Sequence, residues 1–243
     1  MPRETKRISK KAESSLEAEV QLALTWLKRH ATKRTRDGMA RYGIPSDNAL
    51  GVSVADIRVL GKRLGRNHEL AAGLWETGVY EARMLTSFVD EPGRVTAAQM
   101  DRWCRDFDSW GICDTLCFHL FDRTPFAWKK ALQWSASPHE FVKRAGFALM
   151  ASLVVHDKTA TGPRFLAFLP VIEQGARDER NFVKKAVNWA LRTIGKRDFA
   201  LNAAALAVAK RLAQSEKASC RWVGKDAMRE LASPKVRARL VRT

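Results

Sequence analysis

FVKRAGFALMASLV, beginning at Phe141, and FVKKAVNWALRTIG, beginning at Phe182, are variants of one helix set 41 residues apart. In the second copy Val183, Ala186, Val187, Ala190, Leu191 and Ile194 recur at the three- and four-residue spacing of a single buried face. Trp189 lies off that stripe. Its neighbours at helical spacing are Lys185, Arg192 and Lys196, so a large flat ring stands in a row of cations, where core packing has no use for it. A weaker echo, CRWVGKDAMREL with Trp222-Val223-Gly224-Lys225, follows another 40 residues on.

A period near 40 residues is that of a two-helix repeat of the HEAT type, in which neighbouring copies stack to bury a shared core. Strand signals are nearly absent, whereas helix starts recur: Ser53 with Asp56, Thr96 with Gln99, and Ser137 with Pro138 and Glu140. Gly and Pro fall between these segments, as at Glu91-Pro92-Gly93 and Thr161-Gly162-Pro163. The expected fold is all-α: about a dozen helices in a curved solenoid of antiparallel pairs, with one helix of each pair lining a concave groove. Residues 1–13, charged and poor in apolar groups, are expected to form a loose basic tail, and residues 14–243 one helical-repeat domain.

Forty-three Lys and Arg against 26 Asp and Glu give a formal charge of +17. Such a surface favours polyanions through counterion release, which leaves nucleic acid and anionic membrane as candidate partners. No run of 18 or more apolar residues appears, and MPRETKRISKKAE has no apolar core for a signal peptide, so a soluble, cytoplasmic protein is expected. Cys104, Cys113, Cys117 and Cys220 lack disulfide-framework spacing. Cys113 and Cys117, one turn apart with His119 nearby, invite a metal reading, but ordinary buried thiols are expected instead.

If the repeated helices line the groove, Lys143, Arg144, Lys184, Lys185, Trp189 and Arg192 point at its contents. That mostly cationic set suits a phosphate backbone, although such rows are often only solvated faces. In DFDSWGICDTLCFHLF, residues 106–121, Ile112, Leu116 and Leu120 take the buried side while Trp110 and Asp114 share another face. A carboxylate in a polyanion-binding groove repels phosphate and needs a reason. One reason is glycosidic bond cleavage, where a carboxylate stabilises an oxocarbenium-like sugar and orients water, and aromatic faces favour the same positive charge. The other is that Asp114 pairs with an Arg or caps a loop while both tryptophans only pack.

Four blocks in order, MARYGIPSDNALGVSVADIR at 39–58, SWGICDTL, FVKRA and FVKKAVNWALR, resemble the AlkD-type HEAT-like-repeat alkylpurine DNA glycosylases over about residues 15–240. The resemblance implies an aspartate that stabilises the sugar cation and positions water, which falls on Asp114. It also implies two tryptophans flanking the lesion's sugar, Trp110 and Trp189, and a backbone-contacting arginine, Arg144. Tyr42 also matches and takes a secondary place in the groove. Ser109 and Gly111 depart from the family pattern, which has a tryptophan before the position of Trp110 and an acidic residue after it. The implied activity is removal of cationic N3- or N7-alkylpurines from double-stranded DNA by a monofunctional glycosylase, without insertion of the base into a deep pocket. No cofactor and no metal is implied, and a DNA-associated monomer is expected. The competing readings are a non-catalytic relative that binds damaged or branched DNA, and a protein-binding helical scaffold.

Overall fold

The computed structural model describes residues 2–241, with side chains for residues 14–241. The tail expected at residues 1–13 therefore lies outside the residues whose side chains are described. The chain forms two compact units, Met1–Gln99 and Met100–Thr243. Every regular element among the described residues is helical, in agreement with the all-α expectation.

The first unit holds α1 (Pro2–Arg29), α2 (Lys33–Met39), α3 (Val54–Leu64), α4 (His68–Glu76) and α5 (Tyr80–Val89). α5 packs on both α3 and α4, and α1 covers α4. The buried Glu81 carboxylate accepts the backbone N–H groups of Leu50, Gly51 and Val52, which secures the turn within MARYGIPSDNALGVSVADIR. Ser53 caps α3 as read from the sequence, its hydroxyl accepting the N–H of Asp56. Thr96 does the same for Gln99 at the start of α6 (Ala97–Arg105), the helix that straddles the two units.

The second unit continues with α7 (Trp110–His119), α8 (Ala127–Ser135), α9 (Glu140–His156), α10 (Gly162–Leu166), α11 (Phe168–Gly175), α12 (Asn181–Ile194), α13 (Phe199–Ala213), α14 (Ala218–Leu231) and α15 (Pro234–Leu240). The three echoing segments are α9, α12 and α14. They stack in that order, α7 also packs on α9, and α8, α11 and α13 back α9, α12 and α14 in turn. α9 begins later than the Ser137 start read from the sequence. Its first-turn cap is His139, and the Ser137 hydroxyl instead accepts the His139 N–H, a local turn that competes with helix initiation.

All six apolar residues read for α12 are fully buried, and so is the Ile112, Leu116 and Leu120 stripe of α7. Each large aliphatic side chain among them contributes about 1.5–3 kcal/mol by leaving water. Close approach within the pairs depends on two glycines. A Cβ at Gly146 of α9 would meet the Ser135 backbone nitrogen at 2.3 Å, and one at Gly224 of α14 would meet that of Ala213 at 2.3 Å. Because the obstructing atoms are backbone, no rotamer change relieves the clash. Gly224→Ala is therefore expected to lower stability by about 1–3 kcal/mol in denaturant melts, whereas Gly162→Ala, with nothing within 4 Å of its Cβ, should be close to neutral.

Candidate nucleic-acid interface and Asp114 site

The centre of the second unit's site is a buried guanidinium. Arg144, on the second turn of α9, is only 6% exposed. Its Nε and Nη2 donate to Asp114 Oδ1 and Oδ2 at 2.8 and 2.7 Å, and its Nη1 donates to the Phe182 carbonyl at 2.6 Å. One side chain thus joins α7, α9 and α12. The sequence reading assigned Arg144 to the DNA backbone; in the structure all three nitrogens are engaged within the protein. Fork-to-fork pairing sets the plane of the carboxylate as well as its position.

Asp114 itself keeps 21% of its side chain exposed. A carboxylate has about four acceptor positions; the fork occupies two and the Cys113 thiol also interacts with the group, so acceptor capacity is left for water or an approaching donor on the exposed part. Burial pushes the Asp114 carboxyl above the usual carboxylate range, with the adjacent Arg144 charge pulling the other way. Trp110, one turn before Asp114 on the same helix, and Trp189 on α12 are both half-buried, each with part of a ring open to solvent.

Phe118 is a component the sequence reading missed. It continues the Trp110–Asp114 face by one more turn and stacks on Trp189, with ring centroids 6.3 Å apart and planes 27° from parallel. Helical spacing pointed to it, but a phenylalanine among Leu116, Cys117 and Leu120 reads as core. Trp189 therefore has an aromatic neighbour on α7 besides the cations of its own helix.

Those cations are less available than their number suggests. Lys143 pairs with Asp178 at 3.0 Å, and Arg180 together with Lys143 holds the Asp178 carboxyl well below its usual range. Arg192 pairs with Glu230 at 2.6 Å, and Lys196 reaches the same carboxylate at 2.6 Å. Lys184 lies over the Trp222 ring, 5.0 Å from its centre. Lys185 is exposed. Tyr42 belongs to the first unit, in a single helical turn after α2, and is 66% exposed.

The cysteines are buried thiols, and Cys113 and Cys117 donate to the carbonyls of Phe141 and Ala145 on α9. Burial raises the Cys104 and Cys117 thiols far above their ordinary range, which removes them as thiolate nucleophiles. Among the described residues no group of three or more His, Cys, Asp or Glu side chains gathers to hold a metal ion. No helix among them is long and apolar enough to cross a membrane.

Comparison with known proteins places the fold and the family. A solved structure of "a new family of proteins related to the HEAT-like repeat DNA glycosylases with affinity for branched DNA structures" is similar to the chain at a TM-score of 0.73 and 20% identity. The match covers 87% of this chain and 95% of the other, and at that identity it shows a shared HEAT-like-repeat fold. A designed armadillo repeat protein in complex with a peptide reaches a TM-score of 0.37 at 11% identity, covering 77% of this chain and 80% of that one, too distant to carry an argument. No curated protein matches. The family model for the DNA alkylation repair enzyme matches residues 23–231, and with nearly the whole chain covered the protein belongs to the DNA alkylation repair enzyme family.

Proposed function

We propose that the protein is a DNA glycosylase that hydrolyses the N-glycosidic bond of cationic N3- and N7-alkylated purines in double-stranded DNA, acting as a monomer without a cofactor. The observation that carries the reading is the Asp114 carboxylate, held flat by Arg144 yet partly exposed, on the same helix face as Trp110 and as Phe118, which stacks on Trp189. Alkylation puts a positive charge on the purine, so the base leaves neutral and its bond is already weak. What remains is to stabilise the sugar cation and align a water. A fixed, partly desolvated carboxylate does both, and the negative faces of Trp110 and Trp189 favour the same charge. Pairing with Arg144 keeps the carboxylate oriented and offsets part of the rise that burial imposes, so the group stays ionised to align a water.

A second reading has support of its own. Arg144 gives Asp114 a structural occupation, and the solved relative is described as having affinity for branched DNA, so a non-catalytic DNA binder would retain the same pair. A protein-binding scaffold fits the charge of +17 less well. Base release from N7-methylguanine duplex DNA separates chemistry from binding alone.

In that assay Asp114→Asn is expected to slow release by about a hundredfold. The structure adds a cost, because the asparagine NH2 would face Arg144 Nη2, at about 1–3 kcal/mol. A domain with about 5–15 kcal/mol of stability remains folded under that loss, so melting curves tell a chemical effect from an unfolded one. Equal release rates in mutant and wild type would remove the catalytic assignment.

Arg144→Lys retains the charge but not the fork. Release should fall at least tenfold while duplex affinity stays near wild type, the opposite of what a simple backbone contact predicts. Lys185→Ala, by contrast, should weaken modified and unmodified duplexes alike and make the salt dependence shallower by roughly one counterion.

The pH dependence has a definite sign. The ionised form of Asp114 is the active one and burial raises its pKa, so protonation begins at higher pH than for a free aspartate. After subtraction of the rate measured with Asp114→Asn, release should decline on acidification with a midpoint above about 3.9, the ordinary aspartate value.

A further inference from the structure

At Trp189, toward the C-terminal ends of α9 and α12, the second unit contains a cleft of about 580 Å³, of whose polar and charged lining the glycosylase reading makes no use. Its volume falls within the range of sites that bury small ligands. One wall is aromatic. The nearly parallel rings of Trp189 and Phe118 form it, and both rings are partly exposed. Phe118 is buttressed by the edge of His156, centroid to centroid 4.4 Å at 63°, and His156 is held through Nδ1 by the fully buried Asp122 side chain. The wall is therefore built rather than incidental.

Much of the remaining lining is cationic. Arg197 spans the end of α9, donating to the carbonyls of Val154, Asp157 and Ala160, so its charge is fixed in place by neutral acceptors. Lys158 stands exposed at the rim, and Lys196 shares a single carboxylate, Glu230, with Arg192. Asp198 is the acidic side chain among the cleft's lining residues, and it is engaged as the N-cap of α13, accepting the Leu201 N–H at 2.8 Å. Arg239 of α15 adds a further cation. A flat apolar wall and fixed positive charge lining one cleft are complementary to a stacked base with its phosphate.

We propose that this cleft binds one unstacked, phosphorylated nucleoside, its base against the Trp189–Phe118 wall and its phosphate toward Arg197 and Lys158. The proposal rests on the reading that nucleic acid lies along this face, since Trp189 is shared between the cleft and the Asp114 site. The same chemistry describes a nucleotide within a strand and a free mononucleotide.

The test is fluorescence anisotropy of the full-length protein with a short labelled single-stranded oligothymidylate, with thymidine monophosphate as competitor. Lys158→Glu places a like charge beside the phosphate, and Val155→Trp, on α9, fills the cleft that Trp189 also lines. Both variants should weaken oligonucleotide binding about tenfold at low salt, while release of N7-methylguanine from blunt duplex stays unchanged in Lys158→Glu, a residue that takes no part in the Asp114 site. Efficient displacement by the mononucleotide would identify a free nucleotide as the occupant, and failure to displace would identify a strand. If the wild type binds the oligonucleotide but releases no base from duplex, the cleft stands and the glycosylase reading falls. Undiminished oligonucleotide binding in Lys158→Glu and Val155→Trp, or no binding by the wild type, would overturn the cleft.

Discussion

The Arg144 guanidinium is the interaction on which the site depends. From α9 it reaches α7 through the Asp114 carboxylate and α12 through the Phe182 carbonyl, so three stacked helices meet at one buried cation. Apolar packing brings the helices together without setting their sliding register, because a face of Val, Ala and Leu is tolerant of small shifts. A two-pronged ion pair is not tolerant. Held by it, Asp114 takes a set position relative to α9, and the Phe118–Trp189 stack on the same helices places the second tryptophan ring against α7.

Magnitude argues that the pair does more than stabilise. A largely buried ion pair gains little over well-packed apolar residues, since desolvation offsets most of the attraction. If stability were the only demand, leucine-like side chains would meet it. The pair instead delivers a carboxylate with defined orientation to a surface that otherwise carries a large excess of positive charge. On the proposed reading that is the site's function: phosphates are drawn in by the general field, and one retained negative charge waits where a sugar becomes cationic. The proposed cleft beside Trp189 extends the same logic with the opposite sign, using a cation, Arg197, that the protein has fixed against carbonyls.

Much of this was legible in the residues because it is periodic. The buried faces of α7 and α12, the caps at Ser53 and Thr96 and the echo among α9, α12 and α14 all follow from spacing. The partners were not legible. Asp114 and Arg144 are 30 residues apart, and Arg192 and Glu230 are 38 apart. Nothing in a cation's identity says whether its counter-charge is a phosphate or a carboxylate one repeat away. A net charge counts such groups equally, whereas the structure separates Lys185, on the open surface, from Lys143 and Arg192, already paired. Phe118 escaped notice for a related reason: periodicity put it on the right face, but an apolar ring among apolar neighbours carries no mark of a site.

The central claim is that this face accelerates departure of a base that already carries positive charge. Single-turnover release from otherwise identical duplexes, one containing N7-methylguanine and one containing hypoxanthine, tests it most directly. A carboxylate and aromatic faces supply help to the sugar and none to the leaving group, so the account predicts measurable release of N7-methylguanine and none of hypoxanthine above background. Efficient hypoxanthine release, or no release of N7-methylguanine by folded, DNA-binding protein, would contradict it.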